Sequence, residues 1–368
     1  MSTLEPVRFT GPEQVVFDWS RDACGGDDFP DVPARAFRDA RGTVRLIDAS
    51  DTTRALVGPD LDHVTRRCGV AMRSALDPDP GRFAYKEWIS GTYTRDGKTV
   101  YALVHDEFHG DEVQGLCPSE VFERCWYNAV TLARSDDGGV TFHHARPPPG
   151  HLVAAAPYRY EPDAGRVGVF APSGIVAKGG YYYALVETPK YRLEQLGACL
   201  IRTSRLGDPA SWRAWDGDGF GVEFADPYET SADPRSHTCT PVSPDEIGDM
   251  TQSLTYNTYF GKYLLVGSGT TYDPRKRRAV NGFYYSLSGD LIHWSTRKLI
   301  KEEVLPQTYR CGDPDPVLYP SALDPASGSR NFDTTGRRVF IYFTRYHYDA
   351  RQQTTDRDLV RVPVEFSK

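Results

Sequence analysis

The stretch Gly179-Gly180-Tyr181-Tyr182-Tyr183-Ala184-Leu185-Val186-Glu187-Thr188 reads as a glycine turn feeding a β-strand. Its six central residues are aromatic or aliphatic without a polar break, as a strand covered on both faces requires. The same unit occurs five times: GTVRLIDAS (42–50), GKTVYALVHDE (97–107), GGYYYALVET (179–188), FGKYLLVGSG (260–269) and GRRVFIYFTRYH (336–347). Ahead of each lies a shorter candidate strand, PARAFRD, EWISGTYT, PSGIVAK, SLTYNTYF and PVLYPSAL, so each pair predicts a hairpin. Behind them come segments ending in an acidic or glycine turn and an aromatic: SDDGGVTFHHA, SRLGDPASWRAW and SLSGDLIHWSTRKL, with GPDLDHVTRR a degenerate first copy.

Repetition of short strands at this spacing predicts an all-β fold, a five-bladed β-propeller spanning 1–368 as a single domain. The blades fall at about 31–70, 85–146, 171–216, 251–300 and 313–366. The last unit lacks a fourth strand, whereas Gln14–Trp19 is an orphan strand; pairing the two completes the last blade and removes two exposed edges. The Pro- and Gly-laden segments Arg146–Pro172 and Gly217–Gly248 read as long surface connections, the places for lids.

The chain has 368 residues, 39% hydrophobic and 25% charged, with 33 Gly, 27 Pro and 22 Tyr. That excludes a disordered, collagenous or coiled-coil chain. Net charge is -7 and no Lys/Arg run tracks phosphates, so nucleic acid is excluded as a partner. The opening MSTLEPVRFTGPEQ lacks a basic, then apolar leader, and no apolar stretch reaches membrane-spanning length; the expected compartment is the cytoplasm. Seven dispersed cysteines, an odd number without a CxxC pair or a partnered His, predict buried free thiols, with no zinc, other metal or cofactor.

Ser135-Asp136-Asp137-Gly138-Gly139-Val140-Thr141-Phe142 fits the Asp-box pattern S-x-D-x-G-x-T-W/F, a folding device whose Asp caps backbone N–H groups; Asp137 is therefore not placed in an active site. In a meander blade, first strands start and second strands end on one face. That places Asp31, Arg35, Glu87, Trp88, Ser173, Gln252, Asp313 and Asp315, from first strands, near Asp51, His105, Glu107, His109, Glu187, Lys190, Tyr272, Arg345, Tyr346 and His347, from second strands. Such a set at the mouth of an apolar-walled channel can pull carboxyl pKa values apart, leaving an acid beside an ionised base.

Within it, Glu187 is the general-acid candidate, Asp31 the general base and Glu107 the third catalytic candidate. Arg35, Glu87, Trp88, His105, His109, Gln252, Asp315, Arg345, Tyr346 and His347 are the expected substrate contacts. In an extended strand His105, Glu107 and His109 share one side. They read as polar substrate contacts first and as a proton-transfer group second. A metal is the weaker alternative, because the spacing lacks the helical HExxH geometry.

Five blades, the SLSGDLIHW hairpin and a carboxylate-lined face together resemble the five-bladed glycoside hydrolases of family 43, the arabinanase and β-xylosidase group. The resemblance implies an Asp base in the first blade, a pKa-tuning Asp and a Glu acid; Asp31 and Glu187 match the outer roles, and Glu107 stands where the tuning Asp would. VPARAFRDARGTVRLI also looks like the opening strand of sialidases, with Arg35 in the place of a carboxylate-binding arginine, although five units rather than six argue against that family. The implied activity is inverting hydrolysis of a sugar or glycoside, a small molecule or saccharide being the partner. A lyase, isomerase or cyclase using His105 or His109, and a ligand-binding propeller without chemistry, are the alternatives.

Overall fold

A computed structural model of the chain describes residues 6–48, 50–231, 233–349 and 352–368. The first five residues of the stretch read for a leader lie outside the described residues. Among those described, the principal strands form five antiparallel sheets. The first is built from Arg35–Arg38, Val44–Ile47, Thr52–Gly58 and Thr65–Arg73. The second follows with Lys86–Thr94, Val100–His109, Cys125–Ser135 and His143–His144. Val176–Lys178, Tyr181–Thr188, Gly197–Thr203 and Arg213–Ala214 make the third. Ser253–Asn257, Lys262–Asp273, Arg278–Ser288 and Lys298–Glu302 make the fourth, with Thr334–Thr335 added in parallel to its first strand.

The fifth sheet draws on both ends of the described chain. Val317–Leu323, Arg338–Asp349 and Gln352–Phe366 pair in turn. Gln14–Phe17 then lies beside Leu359–Arg361, and Val7–Phe9 beside Val364–Phe366.

Uninterrupted apolar strands are explained by what covers them. Along Val100–His109, Val100, Ala102 and Val104 pack toward the first sheet, whereas Leu103 packs toward the third. Ala184 and Val186 meet the second sheet, while Tyr183 and Leu185 meet the fourth. Leu264 and Val266 face the fifth sheet, and Tyr263 and Leu265 face the third. Each strand thus divides its side chains by parity between two interfaces, and each consecutive pair of sheets, the fifth and first included, shares a buried apolar core.

Arg35, 5% exposed, lies where the first strands converge. Its Nε donates to Ser90 O at 2.7 Å, its Nη2 to Gln252 O, and its Nη1 to Ala34 O and Ser321 Oγ at 3.3 and 3.4 Å. It also flanks a cavity of about 20 Å³, room for roughly one water, bounded by Ala34, Gly174, Ser253 and Ser321. The expected channel is therefore plugged, and a guanidinium with four of its five N–H groups spent on acceptors from the first, second, fourth and fifth sheets cannot clasp a substrate carboxylate with two parallel bonds.

Turns between outer strands are held by aspartates. Asp137 Oδ1 accepts from the backbone N–H groups of Val140 and Thr141 at 3.0 Å each, and Oδ2 from Thr141 Oγ1 at 2.7 Å. These bonds outweigh the upward push of burial and bring the carboxyl down to about 2. Asp290 repeats the arrangement with the N–H groups of Ile292 and His293 at 2.9 and 2.8 Å.

Two expectations are corrected here. Six of the seven cysteines form disulfides, Cys24–Cys68, Cys117–Cys125 and Cys199–Cys239, and Cys311 alone is free and exposed. Each disulfide ties a strand cysteine, Cys68, Cys125 or Cys199, to one in a neighbouring loop, 44, 8 and 40 residues apart in sequence, which linear spacing does not display. Segment 146–172 is no irregular connection: Leu152–Ala155 and Gly165–Gly168 both pair with Cys125–Ser135, the latter in parallel. The described residues of segment 217–248 stay irregular apart from Val222 bridging Ala214, a 3-10 turn at Pro234–His237 and the four-residue helix Pro244–Ile247. No helix among the described residues is long and apolar enough to cross a membrane.

Candidate active site

Asp31 stands just ahead of the first sheet's opening strand, between Pro30 and Pro33, its N–H donating to Asp48 O at 2.8 Å. Its Oδ2 accepts from Trp88 Nε1 at 3.2 Å, and its Oδ1 is ion-paired with Arg357. Arg357 faces Tyr346 across the fifth sheet and lays its guanidinium over the rings of Phe29 and Tyr346, 4.5 and 4.7 Å from their centroids. Burial raises the Asp31 carboxyl to about 6; Arg357 pulls it down and Glu107 pushes it further up.

Glu107 comes from the end of Val100–His109. Alternation along that strand puts His105, Glu107 and His109 on one side. Glu107 Oε2 lies 2.9 Å from His109 Nε2, and Oε1 3.6 Å from His105 Nδ1. Burial raises the Glu107 carboxyl, but His105, His109 and Arg166 together outweigh it, so the group is held below the ordinary carboxylate range. His105 Nε2 meets Asn128 Nδ2 at 2.7 Å, and burial, only partly offset by Glu107, takes its imidazole down to about 4. It is therefore neutral at pH 7, with its Nδ1 side toward Glu107.

Glu187, 8% exposed, ends Tyr181–Thr188, where its backbone exchanges bonds with Phe170 at 2.8 and 2.9 Å. Arg166, on Gly165–Gly168, donates from Nη1 to Glu187 Oε1 at 2.5 Å. The same guanidinium lies 3.8 Å from the Phe170 centroid and 5.1 Å from that of Trp126. Burial raises the Glu187 carboxyl, Arg166 opposes and Asp249 adds to the rise. Three carboxylates from three sheets are thus joined in a series. Asp31 and Glu107 act on each other electrostatically, Glu107 feels Arg166, and Arg166 pairs with Glu187.

Trp88 and Tyr346 sit against this series, Tyr346 at 2% exposure. Tyr319 joins them from a bulge in Val317–Leu323, at φ +58, a left-handed conformation a tyrosine adopts only under constraint from its surroundings. Burial with Tyr346 and Asp31 nearby holds its hydroxyl well above the ordinary value.

Other expected contacts lie elsewhere. Glu87 neighbours Trp88 in the strand and so points to the opposite side, where it is fully buried against His144 Nε2 at 2.6 Å and the N–H of Ala75 at 3.0 Å. Arg345 is likewise turned from Tyr346 by alternation, and pairs with Glu13 rather than with a site carboxylate. Arg35 is the axial plug described above. Gln252 lends it a carbonyl and places Nε2 3.4 Å from Ser268 Oγ. Asp315 and His347 form a separate, partly exposed group, with His347 Nδ1 2.9 Å from Asp315 Oδ2 and Nε2 3.0 Å from Asp358 Oδ2. Those carboxylates outweigh burial and raise the His347 imidazole.

Arg166, Arg357, Asn128 and Tyr319 escaped the sequence reading. Arg166 lay in a segment taken as a loop, and Arg357 in the third strand of the last unit, whose face only the register reveals. The partners of these arginines are 21 and 326 residues away.

No family model matches the chain, and no curated protein matches it in sequence. Solved structures do match its path. A thermostable family-43 glycoside hydrolase is similar at 10% identity, over 93% of this chain and 91% of that one, with a TM-score of 0.47. The α-L-arabinanase of Cellvibrio cellulosa is similar at 12% identity, over 92% and 91%, at 0.47. An α-L-arabinofuranosidase from Podospora anserina is similar at 8% identity, over 96% and 95%, at 0.46. These are likenesses of form, and the reading of function rests on the side chains.

Proposed function

We propose that the protein is a five-bladed β-propeller with carboxylate acid–base chemistry on the face bearing Asp31, Glu107 and Glu187, and that it hydrolyses a glycosidic bond. One observation carries the reading: three carboxyls from three sheets, none more than 19% exposed, stand in one linked series with their protonation driven apart, Asp31 to about 6, Glu187 upward and Glu107 downward. Glycoside cleavage needs such a division between a proton donor and an ionised partner.

In this reading Glu187 protonates the leaving oxygen, and Asp31, ionised at pH 7 yet poised near it, takes the proton from the attacking water. Glu107, kept anionic, raises Asp31 and thereby its basicity. Trp88, Trp126, Phe170 and Tyr346 supply flat surfaces of the kind sugar rings stack on. His105, neutral and engaged by Asn128, is poorly suited to carry the chemistry itself, which sets the lyase, isomerase or cyclase alternative behind hydrolysis. Three disulfides point to an oxidising compartment in place of the cytoplasm.

Nitrophenyl glycosides of pentoses and hexoses test the proposal. Glu187→Gln should lower turnover on poor leaving groups about 10²–10⁴-fold and much less on activated ones, with the product released in the inverted anomeric form. Equal losses on both classes of leaving group would remove Glu187 from the acid role, and saturable binding without turnover would leave a saccharide-binding propeller.

A further inference from the structure

Glu87, His144 and His151 meet on the side of the second sheet turned away from Trp88, in a group the acid–base site does not use. Glu87 comes from the sheet's first strand, His144 from its outermost strand, and His151 from the residue ahead of Leu152–Ala155. One donor atom from each lies within 4.8 Å of the others. Glu87 Oε1 and His144 Nε2 are 2.6 Å apart, and the rings of His144 and His151 have centroids 4.4 Å apart.

Each of the two fully buried members has its rear atom fixed by backbone. Glu87 Oε2 accepts from the N–H of Ala75 at 3.0 Å, leaving Oε1 toward His144. His151 Nε2 lies 3.1 Å from Phe83 O. A carbonyl can only accept, so the Phe83 bond puts the neutral ring's proton on Nε2 and leaves Nδ1 a lone pair, with the Pro149 carbonyl near the ring but not hydrogen-bonded to Nδ1. Nδ1 has no hydrogen-bond partner in a side chain with 0% exposure. A buried acceptor left unmet costs free energy unless something binds it. An imidazole whose far N–H is held by a backbone carbonyl is the usual arrangement of a histidine metal ligand.

A second buried carboxyl lies beside the group. Asp106 faces Glu87 across the two strands, at 2% exposure, and its Oδ1 is taken by the N–H of Tyr85 at 2.7 Å. Among the described residues neither carboxyl is ion-paired with Lys or Arg. Two imidazoles and a carboxylate form a donor set suited to Zn²⁺ and its first-row neighbours, with ligand distances of about 2.0–2.2 Å and a fourth position for water.

We propose that Glu87, His144 and His151 bind one divalent transition ion of the Zn²⁺ type, which clamps the first strand of the second sheet to its outer edge and acts on stability rather than on the glycosidase-like site. The proposal is independent of the hydrolase reading.

Chelator-treated wild-type protein titrated with Co²⁺ and with Zn²⁺ provides the test. One equivalent of Co²⁺ should give the intense visible absorption of a low-coordinate site, Zn²⁺ should displace it, and the thermal midpoint should rise on loading. Nitrogen-15 NMR of the histidines should show the Nδ1 resonance of His151 shift on Zn²⁺ addition, a readout that needs no variant. His151→Gln and Glu87→Gln should each weaken binding at least tenfold, whereas His347→Ala, in the other His/carboxylate group, should leave it unchanged. Absence of a one-equivalent site in the wild type, an unmoved His151 resonance, or binding lost in His347→Ala and kept in His151→Gln would each overturn the proposal.

Discussion

Replacing Asp31 by Asn should make the protein more stable at neutral pH while removing its activity. The Asp31 side chain is 19% exposed, and burial lifts its carboxyl from 3.8 to about 6 despite the ion pair with Arg357. The folded state therefore holds this proton more tightly than the unfolded chain does. Its stabilising effect is complete below the unfolded value and disappears as pH rises through about 6. Two pKa units at about 1.4 kcal/mol each make the ionised form roughly 3 kcal/mol less favourable in the folded state than in the unfolded one. Asparagine resembles the protonated acid and cannot ionise, so it escapes that cost, and its amide oxygen still accepts from Arg357; its NH2 group faces the Trp88 N–H instead of accepting from it, a loss of about 1 kcal/mol that is the same at every pH. Urea unfolding of both proteins at a series of pH values, with disulfides intact and compared at equal m-values, gives the difference directly. The variant should trail by about 1 kcal/mol near pH 4 and lead by about 2 kcal/mol above pH 7, a swing of about 3 kcal/mol between them. A variant less stable than wild type at pH 7, or a gap that does not change with pH, would refute the argument that Asp31 is a desolvated carboxylate.

Asp137→Ala should cost about 1 kcal/mol, the usual size of a lost cap, and leave turnover per folded molecule intact. Because the folded Asp137 titrates near 2, that loss should shrink as pH falls from about 4 toward 2, and an inactive but fully stable variant would contradict it. Deleting residues 1–17 strips the outer partners from the last strand, so the truncated chain should aggregate or melt far earlier; an unchanged melting temperature would show that the edge needs no cover. Arg35→Met leaves Ser90 O and Gln252 O without their donor, and at about 1–3 kcal/mol for each unmet buried acceptor the variant should lose roughly 2 kcal/mol or more. Wild-type stability in a urea melt would mean that the axial guanidinium pins nothing.

The five hairpins could be read from sequence because their cue is local: a glycine turn followed by apolar residues with no polar break. Strand direction alone proposes one face for Asp31, Glu107 and Glu187, while the links between them, through Arg166 and the mutual effect of Asp31 and Glu107, needed the fold. Strand parity also separates residues that strand ends bring together: Glu87 with Trp88, and Arg345 with Tyr346, are neighbours in a strand and cannot share a face. What no local pattern discloses is which carbonyls gather around a side chain. Arg35 looks like a ligand-binding arginine until Ser90, Gln252 and Ser321 close on it. The same holds for Arg357, whose carboxylate is contributed 326 residues earlier, and for strand cysteines whose partners lie in neighbouring loops.

A chain whose first strands must wait for its last ones has a problem of timing. Gln14 and its partner Arg361 are 347 residues apart, so at roughly 5–20 residues per second of synthesis the N-terminal segment exists for about 17–70 s before the strand it covers has been made. Through that interval Val7, Phe17 and the flank of the first sheet are unshielded, and any chaperone that occupies them must release them late. The covalent links run on a shorter clock. Each joins cysteines no more than 44 residues apart, so the neighbourhoods of the first three sheets can be locked while the remainder is still being translated, leaving the final seam as the step most exposed to capture by a second molecule.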